Sequence, residues 1–250
     1  MKSKETQHTK VIDLAIRRRQ WQPREGTEKV YRAIKPQLEA LGIKLGRDKF
    51  YELMRDHNML IRPRRKYVNT TNSRHRFHKY DNLVKDFVPT AKNQLWVSDI
   101  TYIRTGKSFC YLALITDAYS RKIVGYDISN SLELEGSLRA LKKALKSLPA
   151  GSKPIHHSDR GIQYCSYQYT NVLKKHGLKI SMASKGDCYE NAMAERVNGI
   201  LKQEFFLDEN FINLEHAKKT SEEAIKIYNN MRLHMALAFK TPNQVHLNAN

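Results

Sequence analysis

The sequence is short of cysteine, of acidic residues and of long apolar runs, and each shortage removes a class of protein. Only three cysteines occur in 250 residues: Cys110, Cys165 and Cys188. Their odd number and wide spacing argue against a disulfide framework, and no CxxC or CxxH pair offers a zinc site. The first 89 residues hold four histidines and no cysteine, which disfavours a Cys/His zinc module there. No apolar stretch approaches the ~20 residues that span a bilayer, and the polar N-terminus has no secretory h-region. These absences point to a reducing, cytoplasmic setting with no membrane partner. No internal repeat and no coiled-coil periodicity is present.

The acid deficit says most about partners. Against 44 Lys and Arg stand 25 Asp and Glu, a net charge of +19. A chain this basic pairs with a polyanion, and nucleic acid is the first candidate. The excess is heavier at the front: residues 1–89 hold 22 basic and 10 acidic side chains. The hydrophobic share of 40 % is enough for a core, and the length fits one large domain or a medium one with attachments.

Four regions follow in order. Residues 1–61 read as an N-terminal helical region. Residues 1–25 are polar and basic, with a weak helical face at Val11, Leu14 and Ala15. Val30, Ile34, Leu38 and Leu41 then recur at helical spacing, with Thr27 as the expected N-cap, Pro36 as a kink and Gly42 as the stop. A second helix carries Phe50, Leu53 and Met54 inward and Arg47, Lys49 and Arg55 outward. Two helices, a short turn and basic outer side chains fit a DNA-binding helix-turn-helix. A plain helical hairpin with a solvated face fits them equally. Residues 62–93 are a basic linker, poor in aliphatics, with Tyr67, Phe77 and Tyr80 placed to stack on nucleic acid. Residues 94–205 change grammar. QLWVSDITYI alternates as a strand, FCYLALIT is apolar throughout as in a strand buried on both faces, and KIVGYDI is a third. Helix, strand, helix, strand and helix follow, an α/β fold with a five-stranded sheet and helices on both faces. Residues 206–250 read as a C-terminal helix and tail.

Within the third region three acids stand where chemistry is plausible. Asp159 closes the short run Pro154–Ser158, where a strand stops. Glu195 lies on a patterned helix, where Asn191, Asn198 and Lys202 share its stripe. Asp99 lies in the first strand, which neighbours the fourth if it sits centrally. Converging carboxylates repel one another and raise each other's pKa. The arrangement becomes sensible around hard divalent cations such as two Mg²⁺ ions, with Mn²⁺ an alternative, which activate one oxygen of a phosphodiester exchange and stabilise another. Asp117 reads as a turn acid, and Asp187 and Glu190 as acids at a helix N-terminus. Of His156 and His157 at most one faces the site. No Ser or Tyr with a base partner offers a covalent route.

The segments LWVSDITYI, YLALITDAYSRKIVGY, HHSDRGIQYCS, SKGDCYENAMAERVNGILKQE and YNNMRLHMAL…TPNQVH resemble the integrase-core DDE transposases of bacterial insertion sequences, the product of a second reading frame. The 35 residues between Asp159 and Glu195 match that family's spacing, and Lys202 stands where it carries a basic residue. Leu233, Asp81 and Glu190 depart from its usual pattern. The resemblance implies a ribonuclease H-like mixed sheet and Mg²⁺ bound by Asp99, Asp159 and Glu195. It implies cleavage at the element's ends followed by strand transfer. It also implies double-stranded DNA as partner, both terminal repeats and target, with a homo-oligomer assembled on it and an upstream-frame DNA-binding protein as a fusion or helper. Arg160, Asn191, Asn198 and Lys202 are then expected DNA contacts beside the site, and Arg47, Lys49 and Arg55 remote ones. Two other readings stand beside it: a catalytically silent helix-turn-helix regulator and a plain Mg²⁺-dependent nuclease.

Overall fold

A computed structural model describes residues 2–61, 76–106, 108–184 and 192–248. The chain begins with α1 (Lys2–Trp21), α2 (Thr27–Ala40) and α3 (Arg47–Asp56). The weakly patterned N-terminus is thus a full helix. Its Val11, Ile12 and Ala15 join Val30, Ile34, Leu38, Phe50, Leu53 and Met54 in one small core. Gly26, not Thr27, is the N-cap of α2, and no side chain caps it. The helix runs unbroken through Pro36, which forfeits one backbone hydrogen bond. Gly42 stops it at φ 68°.

The larger unit is a mixed sheet. Its strands are β1 (Leu95–Thr105), β2 (Ser108–Asp117), β3 (Ile123–Ser129), β4 (Ile155–Ser158) and β5 (Lys179–Met182), in spatial order β3-β2-β1-β4-β5. β1 to β3 form an antiparallel meander, and β4 and β5 add parallel to β1. A two-residue strand, β6 (Asn210–Phe211), pairs with the far end of β1 and was not expected from the sequence. It is too short to show periodicity.

Helices cover both faces. α4 (Leu134–Lys146), α5 (Ile162–Cys165) and α6 (Tyr167–Lys175) pack on one side around Trp96, Ala113, Ile115 and Leu141. α7 (Ala192–Glu204) and α8 (Leu214–Met231) pack on the other around Ile103, Leu112, Leu114, Leu201 and Tyr228. β2 therefore sends alternate residues into two cores, which is why it reads as apolar throughout. A short 3-10 turn (Met235–Leu237) and α9 (Pro242–Asn248) end the chain. Around Leu233 the backbone turns back so that His234 bridges to Lys240.

α4 approaches β3 at Gly125. A Cβ there would run into the Ala140 carbonyl oxygen and sit 2.8 Å from the Ala144 Cβ. Gly125→Ala is expected to destabilise the protein by about 1–3 kcal/mol through overpacking, read as a lower urea midpoint at unchanged slope.

Two expectations for the linker change. Phe77 and Tyr80 are half-buried against the α4–α6 core, and Phe77 meets Tyr167 edge-on at 5.7 Å. The Asp81 carbonyl accepts from Met182 N–H at 3.2 Å, and Ser181 Oγ accepts from Leu83 N–H at 2.9 Å. Residues 77–83 thus run along the outer strand β5 and use its spare edge, so these two rings are occupied by protein. Tyr67 lies outside the described residues.

The helical unit and the sheet unit meet through a buried ionic cluster. Glu204, the last residue of α7, accepts from Arg232 at 2.6 and 2.9 Å, from Lys29 at 2.9 Å and from Gln22 at 2.7 Å. Beside it Arg18 pairs with the fully buried Glu25 at 2.6 Å and donates to the Met231 carbonyl at 2.7 Å. The N-terminal helices are therefore tied to the same helix that carries Glu195.

Candidate active site

β1 and β4 run parallel with Ser98 opposite Ser158. Asp99 and Asp159 are the next residue on each strand, side by side where β4 ends. Asp99 keeps some solvent contact there. Its Oδ1 accepts from Ile100 N–H at 2.9 Å and its Oδ2 from the Asn198 amide at 2.8 Å. Burial raises the Asp99 pKa to about 7, the Asp159 charge adds to this, and the two hydrogen bonds oppose it. Glu195 lies in the first turn of α7, and burial followed by the Asp159 charge raises its pKa too. Glu195 also acts on Asp99. All three acids expected from the sequence therefore lie where β4 ends, close enough for their charges to act on one another.

Among the described residues no three His, Cys, Asp or Glu side chains form a cluster tight enough to hold a metal ion. The donor set nevertheless fits a hard divalent cation. Burial first, and the neighbouring carboxylate charge second, raise the pKa of Asp99 and of Glu195; a divalent cation would offset both, and oxygen donors are what Mg²⁺ takes.

The other expected residues divide. Lys202 is half-buried on α7, its pKa lowered by burial against the opposing pull of Asp99 and Asp208. It is thus close enough to Asp99 to act as a partial countercharge. Asn198 is expected on the polar stripe of Glu195, as a DNA contact beside the site. It is 5 % exposed and engaged with Asp99. The polar stripe adjoins the buried face of α7 (Ala194, Val197, Leu201) instead of opposing it, so Asn198 holds an acid and does not reach outward. Arg160 follows Asp159 and is half-buried. Asn191, with Asp187 and Glu190, lies outside the described residues. On α3, Arg47 and Lys49 are exposed and held by Asp48 at 2.8 Å and Glu52 at 2.7 Å, and Arg55 is exposed in the last turn. The helix carries three acids for its three bases, so its outer face is charge-balanced rather than basic.

The rival groups have structural employment. Asp117 is fully buried and accepts from Asn93 N–H and from the N–H and hydroxyl of Ser120, at 2.7–2.8 Å. His156 and His157 point to opposite faces of β4. His156 Nε2 lies 2.8 Å from Ser98 Oγ and 3.0 Å from Tyr169 Oη, and His157 Nδ1 lies 2.8 Å from Ser181 Oγ. Burial lowers the His156 pKa to about 3, so it is neutral.

Gly161 is a site residue that sequence reasoning passed over. Its N–H donates to Asp159 Oδ1 at 2.9 Å, and a Cβ on it would lie 2.9 Å from that same oxygen. Its φ of −64° needs no glycine, so the requirement is for space beside the carboxylate. Gly161→Ala is expected to cut activity by about 10–100-fold by displacing Asp159, with a melting temperature close to wild type. Only the DRG spacing hints at this in the sequence.

Comparison with known proteins fits this geometry. Residues 89–188 match the integrase core domain family, and residues 176–242 match a second family of the same description. The sheet with its two acid-bearing neighbours is the ribonuclease H-like fold of integrase catalytic cores. It superimposes on the HTLV-2 integrase catalytic core domain with a TM-score of 0.50 at 21 % identity, covering 63 % of this chain and 98 % of that one. For a chain of a simian T-cell lymphotropic virus intasome in complex with PP2A regulatory subunit B56 gamma the TM-score is 0.54 at 19 % identity, covering 81 % and 67 %. Among sequences, a 31 kDa protein of insertion element IS600 from Shigella sonnei is 39 % identical over 213 residues, 84 % of this chain and 78 % of that one. The transposase of insertion sequence element IS629 from the same organism is 38 % identical over 218 residues, 87 % and 72 % of the two chains. The chain belongs to the integrase-core transposases of bacterial insertion sequences, proteins of DNA transposition and recombination.

Proposed function

We propose that this transposase cuts DNA at the ends of its element and joins the freed 3′-hydroxyl to a second duplex, with Asp99, Asp159 and Glu195 holding two divalent cations. The observation that carries the reading is three acids gathered where β4 ends, Asp99 and Asp159 side by side on neighbouring strands and Glu195 on α7 acting on Asp99, in a strongly basic chain. When bound, Mg²⁺ or Mn²⁺ would activate the attacking oxygen and stabilise the leaving one. The protein's own part is positioning. Asn198 and the Ile100 N–H fix the Asp99 carboxylate, Gly161 fixes that of Asp159, and Lys202 and Arg160 offer positive charge to phosphates at the rim. The integrase likened to it here is described in complex with magnesium, and the other within an intasome. Both fit a metal-dependent oligomer on DNA. In this reading the helical unit of residues 1–61 contacts the terminal repeats, alone or with an upstream-frame protein, and Arg47 and Lys49 join Arg55 on phosphate only by exchanging their acid partners on α3. Among the described residues no helix is long and apolar enough to cross a membrane.

The test is labelled terminal-repeat DNA incubated with Mg²⁺. Wild type should release a 3′-hydroxyl end and join it to a second DNA. Cleavage without joining would favour a plain nuclease, and binding without cleavage a silent regulator. Lys202→Ala is expected to weaken cleavage about tenfold while the melting temperature holds, because it removes a rim cation and no packing core. Unchanged kinetics would remove Lys202 from the site.

A further inference from the structure

The charge of the sheet unit is concentrated in one stretch. From Gly136 to Met182 the sequence has nine Lys and Arg and a single acid, Asp159. Seven of these bases are exposed lysines: Lys142, Lys143, Lys146, Lys153, Lys174, Lys175 and Lys179. Among the described residues none has an ion-pair partner, whereas two of the three bases of α3 are paired off. Lys143 and Lys174 lie over the rings of Tyr126 and Tyr80. The rest face solvent.

Topology gathers them. β3, β1, β4 and β5 all point the same way, and the acids lie where β4 ends. α4 follows β3 and α6 follows β4, each running back over the sheet. Their C-terminal turns, with Lys142, Lys143, Lys146, Lys174 and Lys175, therefore reach the opposite end. Lys153 leads into β4 and Lys179 opens β5 at that same end. The Lys153 side chain passes 3.4 Å from where a Cβ on Gly177 would stand, which brings the α4–β4 and α6–β5 connections together. The basic end is about 13 Å from the acids along the four residues of β4. A phosphate held there is not the phosphate that reacts.

We infer that this lysine-rich end of the sheet is a second DNA-binding surface, one that holds duplex outside the reacting segment. Charge complementarity selects the occupant. A cluster of unpaired lysines repels itself and is relieved by a polyanion whose counterions are released on binding. Compact ammonium groups act as point charges and lack the planar fork that reads base edges, so they contact backbone, not bases. The surface is therefore sequence-independent. The inference rests on the reading of the chain as a DNA-cutting enzyme.

The test compares two triple variants on two duplexes, one of about two helical turns carrying only the terminal repeat and one of about six turns. Lys153→Gln/Lys175→Gln/Lys179→Gln removes three charges from the basic end. Lys218→Gln/Lys219→Gln/Lys226→Gln removes three exposed charges from α8 as a control for net charge. For the first variant the slope of log affinity against log salt on the long duplex should shrink by about 2–3. Its affinity there should fall at least tenfold, and cleavage of the short duplex should stay at the wild-type rate. The control should change neither. An unchanged slope would overturn the inference, as would an equal loss on the short duplex or an equal effect of the control. Failure of wild type to cut the short duplex would instead count against the enzyme reading, so the two failures are distinguishable.

Discussion

Asp159→Asn is expected to lower metal-dependent cleavage by at least about 10³-fold, because catalytic groups acting as one unit fail together. The substitution keeps shape. An amide oxygen still accepts from Gly161 N–H, the contact Asp159 Oδ1 makes at 2.9 Å. It removes a charge that raises the pKa of both Asp99 and Glu195. Repulsion in the metal-free protein therefore falls, and the melting temperature without metal should equal or exceed that of wild type. The stabilisation wild type gains on adding Mg²⁺ should shrink in the variant. Lost activity with kept or increased stability is the signature of an electrostatic site. A variant with full activity would remove Asp159 from the chemistry, and one that is merely unstable would make it a structural acid.

The second large effect is expected far from the reaction. Burial pushes the Glu204 pKa up, but the hydrogen bonds and charge of Arg232, with Lys29 behind them, outweigh it and hold it at about 2. Lys29 is the weaker partner, its own pKa lowered by burial and by Arg232. Glu204→Gln leaves Arg232, 4 % exposed, and Lys29 facing each other with only the weaker pull of Glu25 on Lys29 to offset them. Breaking such a buried pair costs about 3–5 kcal/mol. The sign with pH is that of a depressed carboxylate. Its stabilisation is fully present above an unfolded pKa near 4.5 and is lost as pH falls towards 2, about 3 kcal/mol in all. Urea unfolding at pH 7, 4 and 3 checks both statements. Wild type should lose stability across that acid range, and the variant should start lower and lose less. Because Lys29 and Gln22 come from the N-terminal helices and Glu204 from α7, the variant should also separate unfolding of the two units into distinct transitions.

Much of this molecule is legible from spacing alone. The 2-residue alternation of QLWVSDITYI and the doubly apolar FCYLALIT identify β1 and β2, since a pleated strand buries alternate side chains and a strand between two cores buries all of them. The order of elements places Asp99 and Asp159 on neighbouring strands, because a parallel strand added after a meander has β1's free edge available. Other features carry no local signal. β6 is two residues long. The engagement of Asn198 with Asp99 depends on how α7 is rotated against the sheet, which a helical stripe read without its partner surface does not show.

The stretch of residues 1–61 shows the limit most clearly. Its helices are written in 3.6-residue periodicity, and its charges suggest an outward DNA-binding face. Only the folded chain shows that Arg18, Lys29 and Gln22 are turned inward, onto acids near in sequence in one case and 175 residues away in another. Local sequence determined what each segment is, because backbone sterics and periodic burial act over a few residues. The tertiary structure alone decided which charges meet each other and which are left for DNA. Electrostatic partners are set by distance in space, and the sequence records distance only along the chain.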